Sequence, residues 1–341
     1  MTGSDRFRAL LRRPVVVAPM AGGPSTPALV VAAGEAGALA FLAAGYKTAE
    51  AMVDEVRAVR AATPAPFGVN VFVPGVPAAD PSAVSAYVAS LAGDADAVGA
   101  MPGKPRWDDD HWEAKIDALL ADPPPVVSFT FGCPPRRTVQ ALAEAGSVVV
   151  VTVTAASEAA AAAAAGADGL CVQGPEAGAH RGTFTPVGDP ASGNDLATLL
   201  RQVARAADLP TIAAGGIADA VGVAAALRAG ALAAQCGTAF LRCPESGASA
   251  LHKQALADPR FTATAVTRSF SGRPARGLLN RFMRDHADAP AAYPEVNNAT
   301  RPLRAAAAVK GDLERMSLWA GTGFRQAADL PASAVVDLLS P

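Results

Sequence analysis

Continuous apolar runs recur along this chain and alternate with segments in which apolar residues repeat every three or four positions. Runs of the first kind predict strands that are buried on both faces, as in a parallel sheet. Segments of the second kind predict helices with one face against a core. The runs that predict strands lie at 15–20, 38–43, 67–73, 126–131, 148–154, 170–173, 211–214 and 233–240.

The intervening segments carry the start and stop signals of helices. Thr48 can cap the N-terminus of one helix, and Pro27 suits the first turn of another. Ala-Gly junctions, as at 145–147 and 229–231, end helices just before strands, where glycine accepts a left-handed conformation. The predicted helices lie at 27–36, 48–62, 82–91, 108–120, 136–145, 155–165, 195–207 and 219–229.

This alternation predicts an α/β fold, a (β/α)8 TIM barrel. An open, doubly wound sheet is the alternative, but the G-x-G-x-x-G fingerprint typical after its first strand is missing. After residue 241 the pattern changes to short helices and turns. We therefore expect a barrel over 1–241, a smaller, mostly helical cap over 242–300 near the C-terminus, and helices over 301–341 that return to the barrel.

The composition is that of a globular chain with a large core. Of 341 residues, 51% are hydrophobic and 18% charged, which excludes a disordered protein. The formal net charge of −2 gives no electrostatic case for nucleic acid or a membrane surface as the main partner. The N-terminus lacks the apolar core of a signal peptide, and Glu35 interrupts the most apolar window, 27–45. A cytoplasmic location is expected.

Cysteine and histidine positions do not suggest a metal site. The four cysteines, at 133, 171, 236 and 243, form no CxxC pair, so zinc spacing is absent. Cys171 and Cys236 lie inside apolar runs and are expected to be buried, whereas Cys133 is the one expected to be exposed. No role is assigned to His111, His252 or His286.

The candidate chemistry lies where the predicted strands end, because the C-terminal ends of barrel strands form the active face. The sixth strand runs into the loop 173–183, which holds three glycines and His180. Gly215–Gly216 and Gly237–Thr238 follow the seventh and eighth strands, where bare main-chain N–H groups favour a phosphate. Asn70 carries both donors and acceptors, which suit the edge of a heterocycle such as flavin.

Each feature also has a purely structural interpretation. His180 can be a surface histidine, paired glycines often form only a turn, and Gln235 or Thr238 can fill a barrel interior. The five arginines at 268, 273, 276, 281 and 284 can form a solvated face, or one or two of them can guide an anionic substrate. Co-location of the site candidates at one end of several strands favours the functional interpretation.

These motifs resemble the nitronate monooxygenase (2-nitropropane dioxygenase) family of FMN-dependent barrels. The most specific match is Gln173–Gly182, and one departure is Ala179, where the family usually has a second glycine. An extra methyl there would narrow the loop beside the flavin without preventing binding. The resemblance spans nearly the whole chain, with matches at 19–23, 68–70, 128–134, 173–182, 214–217, 235–238, 272–277 and 318–323.

The resemblance implies FMN as cofactor and His180 as the catalytic residue facing the substrate. The implied reaction is oxidation of alkyl nitronates, such as propionate 3-nitronate, by O2 to a carbonyl compound plus nitrite or nitrate. His180 would remove the α-proton of a neutral nitroalkane, or position an anion if the substrate is already a nitronate. The implied cofactor-binding residues are Met20, Ala21, Asn70, Gln173, Gly178, Gly215, Gly216, Gln235, Cys236, Gly237 and Thr238.

Two other functions stay open at this point. One is an FMN-dependent enoyl-acyl-carrier-protein reductase, a related barrel with a similar glycine–histidine loop, which would use NAD(P)H. The other is a flavin- or phosphate-binding protein without turnover. For the favoured function the partners are a small anionic substrate and O2, with no nucleic acid and no membrane, and the protein is expected to be a monomer or homodimer.

Overall fold

A computed structural model describes residues 2–186 and 193–341 of the chain. Within these ranges there are eleven strands. They are β1 (Val15–Val17), β2 (Leu39–Ala43), β3 (Phe67–Phe72), β4 (Val126–Thr130), β5 (Val148–Val153), β6 (Gly169–Gln173), β7 (Ala179–His180), β8 (Thr211–Ala214), β9 (Ala233–Cys236), β10 (Thr264–Thr267) and β11 (Ala275–Leu278).

The same ranges hold fourteen α-helices. They are α1 (Gly3–Leu10), α2 (Pro27–Glu35), α3 (Ala49–Ala62), α4 (Pro81–Ser90), α5 (Ala92–Val98), α6 (Trp112–Ala121), α7 (Arg136–Glu144), α8 (Ala156–Ala165), α9 (Leu196–Ala206), α10 (Ala220–Arg228), α11 (Ala250–Ala257), α12 (Arg281–Asp285), α13 (Glu295–Lys310) and α14 (Ala332–Leu339).

Eight strands close into a parallel barrel in the order β1-β2-β3-β4-β5-β6-β8-β9. Closure occurs at β1, where Val16 pairs with Leu39 of β2 on one side and with Gln235 of β9 on the other. The barrel prediction is therefore confirmed, and the open sheet is excluded. The predicted first and eighth strands were too long at their C-terminal ends, since β1 ends before Pro19, which has no N–H for a ladder, and β9 gives way to a 3-10 turn at Thr238–Phe240.

Two helices also differ from the prediction. The helix predicted over 108–120 begins at Trp112, because Asp110 and His111 both have φ of 56° and form a left-handed turn instead of a helical one. The helix α5 was not predicted at all. The helix spans Ala92–Val98 and is followed by Gly99, which has a left-handed φ of 68°. Glycine there is a helix stop signal, but no capping side chain marks the start of the helix.

The strand pleat divides the buried residues into an inner and an outer set. Inward-facing residues such as Phe41, Val150 and Ile212 fill the barrel, and Phe7 of α1 joins them. A Cβ on Gly169, the first residue of β6, would lie 2.5 Å from the ring of Phe7, so this ring closes the N-terminal end of the barrel. Outward-facing residues pack against the surrounding helices.

A second core lies over the opposite, C-terminal end of the strands. It is built from 84–98 and from 241–324, so the segment between β3 and β4 contributes to it as well as the C-terminal third. The antiparallel strands β10 and β11 pair within it, and β7 joins them as a third strand. The helix α13 crosses residue 300, and the proposed division at 241 and 300 stays a prediction. No helix in the described part of the chain is long and apolar enough to cross a bilayer.

Candidate active site

Inward positions of the barrel change from apolar to polar at the C-terminal ends of the strands. Asn70 of β3 donates from Nδ2 to Ser128 Oγ at 2.9 Å and to Thr130 Oγ1 at 3.0 Å, both on β4. Thr130 in turn donates to Thr152 Oγ1 of β5 at 3.4 Å. These hydrogen bonds join uncharged polar side chains of three neighbouring strands into a polar floor at this end of the barrel.

A cavity of about 420 Å³ opens above this floor, within the size range of small-molecule and cofactor sites. Its described lining contains no aspartate, glutamate or lysine, and its charged members are Arg301 and Arg304. The predicted residues that line it are Met20, Ala21, Asn70, Gln173, Gly178, His180, Gly215, Gly216, Gln235, Gly237 and Thr238.

Cys236 differs from the other candidates. Its side chain is buried among the outward-facing residues of the barrel wall, because Gln235 and Cys236 point to opposite faces of β9. Any contact from Cys236 to a bound molecule would come from its main chain. Cys171 is also buried and Cys133 is partly exposed, as the sequence predicted.

Glycines form one wall of the cavity where main chains approach closely. Gly216 has φ of 66°, and a Cβ there would lie 2.5 Å from Thr322 Oγ1. A Cβ on Gly178 would lie 2.5 Å from the backbone nitrogen of Gly321. Thr238 Oγ1 accepts a hydrogen bond from that same nitrogen at 2.9 Å. A side chain at Gly178 or Gly216 would collide with these neighbours. The glycines in the loops after β6 and β8 therefore leave main chain exposed to the cavity.

Gln173 fixes the loop that follows β6. Its Nε2 donates to the carbonyl oxygen of His180 at 3.1 Å, and its Oε1 accepts from the N–H of Gly182 at 2.7 Å. Arg181 then donates from Nη1 to the carbonyl oxygen of Gln173 at 2.7 Å. One side-chain amide therefore binds the main chain on both sides of residue 181, which holds the loop against the barrel rim.

His180 lies on β7, whose pairing with Ala275 of β11 fixes its backbone. Its Nε2 lies 2.9 Å from Ser271 Oγ, a contact that either neutral tautomer of the ring satisfies. Burial, with Arg273 and Arg304 nearby, lowers the pKa of His180 to about 3. The imidazole is therefore neutral near pH 7.

Aromatic rings surround the imidazole. Its ring centroid lies 5.8 Å from that of Phe131, 5.8 Å from that of Tyr293 and 5.4 Å from that of Trp319. His252 donates from Nε2 to the carbonyl oxygen of Trp319 at 2.9 Å, and burial lowers the pKa of His252 to about 4. His252, to which the sequence assigned no role, thus lines the cavity and supports one of these rings.

The arginines at 268–284 do not form a single solvated face. Arg273 is buried, stacks 4.0 Å from the centroid of Phe131, and donates to the carbonyl oxygens of Arg181 and Thr183. Arg276 donates to the carbonyl oxygen of Pro175 at 2.8 Å. Arg273 and Arg276 thus hold the main chain of loops, whereas Arg281 and Arg284 are exposed. None of the five arginines lines the large cavity.

Sequence reasoning missed the residues that reach the cavity from outside the barrel strands. They come from α13 and from loops, including those after β2 and β4. Asn297, Arg301 and Arg304 share one helical face, so their spacing was a signal. Phe131 and Trp319 lie in 128–134 and 318–323, two of the segments that carry the family resemblance. Periodicity identifies such a face but does not say which surface it covers. The additional lining residues include Tyr46, Phe131, Asn297, Arg301, Arg304, Ser317 and Trp319.

Comparison with protein-family models gives one match that covers nearly the whole chain. The model described as nitronate monooxygenase matches residues 5–340. The chain is 42% identical to the nitronate monooxygenase of Pseudomonas aeruginosa over 98% of both chains. It is 37% identical to the probable nitronate monooxygenase of Bacillus subtilis, over 92% of this chain and 91% of the relative.

The structure of this chain is also similar to solved structures of related proteins. A nitroalkane oxidase from Streptomyces ansochromogenes superposes with a TM-score of 0.95 at 50% identity, covering 98% of this chain and 96% of that one. FabK from Thermotoga maritima superposes with a TM-score of 0.74 at 27% identity, covering 98% and 94%. The barrel with its second core is therefore an architecture shared with both proteins.

Proposed function

The chain belongs to the nitronate monooxygenase family, an oxidoreductase family, and we propose that it oxidises alkyl nitronates with molecular oxygen and FMN. The observation that carries the proposal is one cavity at the barrel mouth that brings His180 together with the glycine wall of Gly178, Gly215 and Gly216. The cavity lining has no described carboxylate, which suits an anionic cofactor phosphate and an anionic substrate.

FMN fits the residues that are present. The main chain at Gly215 and Gly216 follows β8, and Gly237 and Thr238 follow β9, the position at which barrels bind phosphate. Gly216 excludes a side chain by contact with Thr322, so an N–H there stays accessible to a phosphate oxygen. When bound, FMN would supply one-electron oxidation of the nitronate. O2 would contribute the carbonyl oxygen, while the nitrogen would leave with its own two oxygens as nitrite, or with one more oxygen as nitrate.

His180 would position the nitronate and would not act as a strong base. A group whose pKa is lowered to about 3 has little driving force to remove a carbon-bound proton near pH 7. The neutral ring, held by Ser271 and packed among Phe131, Tyr293 and Trp319, presents a fixed polar edge to the cavity. Preformed nitronates are therefore favoured over neutral nitroalkanes.

The first experiment is the visible spectrum of the purified protein, followed by oxygen-consumption assays with a nitronate and with NADH. We expect a yellow protein that consumes oxygen with the nitronate and not with NADH. Rapid NAD(P)H oxidation would favour the reductase alternative. A colourless protein that does not take up FMN would remove the basis of the proposal.

A glycine variant tests the cofactor wall directly. Gly216→Ala adds a Cβ that meets Thr322 and takes a residue with φ of 66°, so we expect a marked loss of bound FMN. Gly230→Ala is the matched control, because Gly230 also has a positive φ, 98°, but has no atom within 4 Å of a Cβ and precedes β9 at the opposite end of the barrel. Both variants carry about 1–3 kcal/mol of backbone strain. Equal FMN content in the two would argue against this wall as the phosphate site.

A further inference from the structure

A second, smaller cavity lies beside the large one, between the loop after β3 and α13. Its volume of about 30 Å³ holds roughly two molecules of the size of water. Gly75 and Asp108 belong to its lining and are exposed, so the small cavity opens to the surface. Tyr46, Phe72 and Asn297 line both cavities. The wall between the two cavities is therefore one layer of side chains.

This wall consists mainly of four aromatic rings, those of Tyr46, Phe72, Phe131 and Tyr293, which we call the aromatic wall. The ring centroid of Phe72 lies 5.5 Å from that of Tyr46 and 4.5 Å from that of Phe131. The centroid of Phe131 lies 5.4 Å from that of Tyr293. Tyr293 lines the small cavity, and its ring is 5.8 Å from the imidazole of His180 in the large cavity. A molecule that crosses the aromatic wall thus arrives beside His180.

The aromatic wall favours uncharged molecules. Burial raises the pKa of Tyr46 and of Tyr293, so both hydroxyls stay protonated, and Tyr293 Oη donates to Tyr46 Oη at 3.2 Å. Arg273, the one described cation in the lining of the small cavity, stacks 4.0 Å from the centroid of Phe131 and donates to two main-chain carbonyl oxygens. An anion would lose its hydration between these rings, whereas an apolar molecule has little hydration to lose.

The two cavities carry opposite charges where they open. The acidic turn 108–110 lines the small cavity. Asp110 Oδ2 lies 2.8 Å from Lys115 Nζ, but among the described residues the other two carboxylates of this turn form no ion pair. The charged residues that line the large cavity are Arg301 and Arg304. An anion is therefore attracted to the large opening and repelled from the small one.

We propose that O2 reaches His180 through the small cavity and the aromatic wall, while the anionic nitronate enters through the large opening. The inference rests on the proposed function, because it concerns the second reactant of that oxidation. O2 is uncharged and apolar, so neither the acidic turn nor the ring faces hinder it. Separate entrances let O2 arrive while the nitronate occupies the large opening.

A kinetic test covers the small cavity in the FMN-loaded enzyme. Gly75 lines only the small cavity, has no positive φ, and offers a Cβ no atom within 4 Å. A bulky side chain there can therefore cover the small cavity without strain in the loop. Gly75→Trp should lower kcat/KM for O2 by more than about threefold and change kcat/KM for a preformed nitronate by less than about twofold, as an ordinary surface substitution does.

Gly93→Trp is the matched control. Gly93 lies on α5, is exposed, has no positive φ and also offers a Cβ no atom within 4 Å. It lines neither of the two cavities. Both kinetic constants of this variant should match those of the wild type.

Two measurements separate the inference from nitronate oxidation. After reduction with dithionite and without nitronate, the loaded Gly75→Trp enzyme should be reoxidised by O2 more slowly than Gly93→Trp. Xenon, which binds in apolar protein cavities, should lie against Phe72 and Tyr293 in pressurised crystals of the wild type and Gly93→Trp, and be absent there in Gly75→Trp. If no nitronate is oxidised but both differences are found, the oxidation proposal fails and the passage stands.

Other outcomes overturn the inference. They are a Gly75→Trp variant with wild-type kcat/KM for O2, an equal loss for O2 and nitronate, or xenon confined to the large cavity. Should Gly75→Trp fail to fold, Gly75→Leu places a smaller side chain at the same position. That variant should lower kcat/KM for O2 selectively, and an unchanged value would count against the passage in the same way.

Discussion

Backbone strain at single residues is concentrated around the cavity. Tyr46, Phe131 and Ala179 have φ of 67°, 78° and 61°, a region that side-chain-bearing residues rarely adopt. All three line the cavity. Strained residues persist where surrounding contacts over-determine them, which is common at functional sites. Glycine, which the family resemblance implies at position 179, would adopt this conformation without strain, and Ala179 adopts it despite its methyl group.

The titration of His180 predicts how activity depends on pH. Its folded pKa is lowered to about 3 from an ordinary 6.5, so the ring stays neutral between about pH 5 and pH 8. We expect kcat/KM for a preformed nitronate to be flat over that range. A pH series on the loaded enzyme measures this, with His180→Asn as the comparison. An ascending limb centred near pH 6.5 that disappears in His180→Asn would contradict it.

The same lowered pKa has a consequence for stability. Between about pH 3 and pH 6.5 the unfolded chain binds the proton that native His180 excludes. The native state therefore loses free energy of unfolding as the pH falls from about 6.5 to about 3. It regains that free energy as the pH rises back to 6.5, the pKa of the histidine in the unfolded chain. His252, with a pKa lowered to about 4, acts in the same direction.

At the scale of elements, a two-residue strand connects the barrel to the second core. Strand β7 pairs with β11, and the loop that contains it is held from the barrel side by Gln173 and from the cap side by Arg273. Two residues of strand are too short to be stable alone. The position of His180 therefore depends on contacts with both the barrel and the second core.

Gln173→Ala tests this arrangement. Loss of the amide frees the Gly182 N–H, which donates to Gln173 Oε1 at 2.7 Å, and we expect faster hydrogen exchange across 179–183. Native-state exchange with mass spectrometry measures it. Gln235→Ala is the comparison, because the Gln235 amide reaches Cys171 Sγ at 3.3 Å and should leave exchange in the loop unchanged. Equal protection in all three proteins would show that the amide does not hold the loop.

At the scale of the whole molecule, the apolar cluster around Phe7 and the cavity of the proposed site lie at opposite ends of the barrel. Phe7 is fully buried and closes the N-terminal end, while the cavity lies at the C-terminal end under the second core. This separation is general for barrels of this type. It lets the polar floor and the strained rim coexist with a continuous apolar core below.

Phe7→Ala should therefore affect stability without affecting the site. Removing a buried ring costs about 3–5 kcal/mol of the free energy of unfolding, which urea denaturation measures. At a temperature where both proteins are folded, FMN affinity and kcat should match the wild type. A proportionate loss of FMN affinity would indicate that the two ends are coupled. Phe7→Leu is the conservative control and should show a smaller loss of stability.

Much of the barrel was predictable because local patterns carry its information. The strands that close it are short apolar runs, and the glycine and threonine signals between them mark helix ends. Failures occurred where tertiary contacts override local preference. Residues 110 and 111 look compatible with a helix, yet Asp110 binds the Tyr46 N–H and Lys115 instead, and α5 packs on α13 within a core that no local pattern reveals.

The sequence by itself determined the barrel, through the periodicity of its strands and the glycines between them. The residues proposed to hold FMN came from the family resemblance, and all of them except Cys236 line one cavity at the C-terminal ends of the strands. Only the tertiary structure decided that Tyr46, Arg301 and Arg304 face the same cavity as His180. Each of them is separated by more than a hundred residues of chain from the loop that carries His180. Side-chain burial and charge depend on such distant neighbours, which periodicity does not encode.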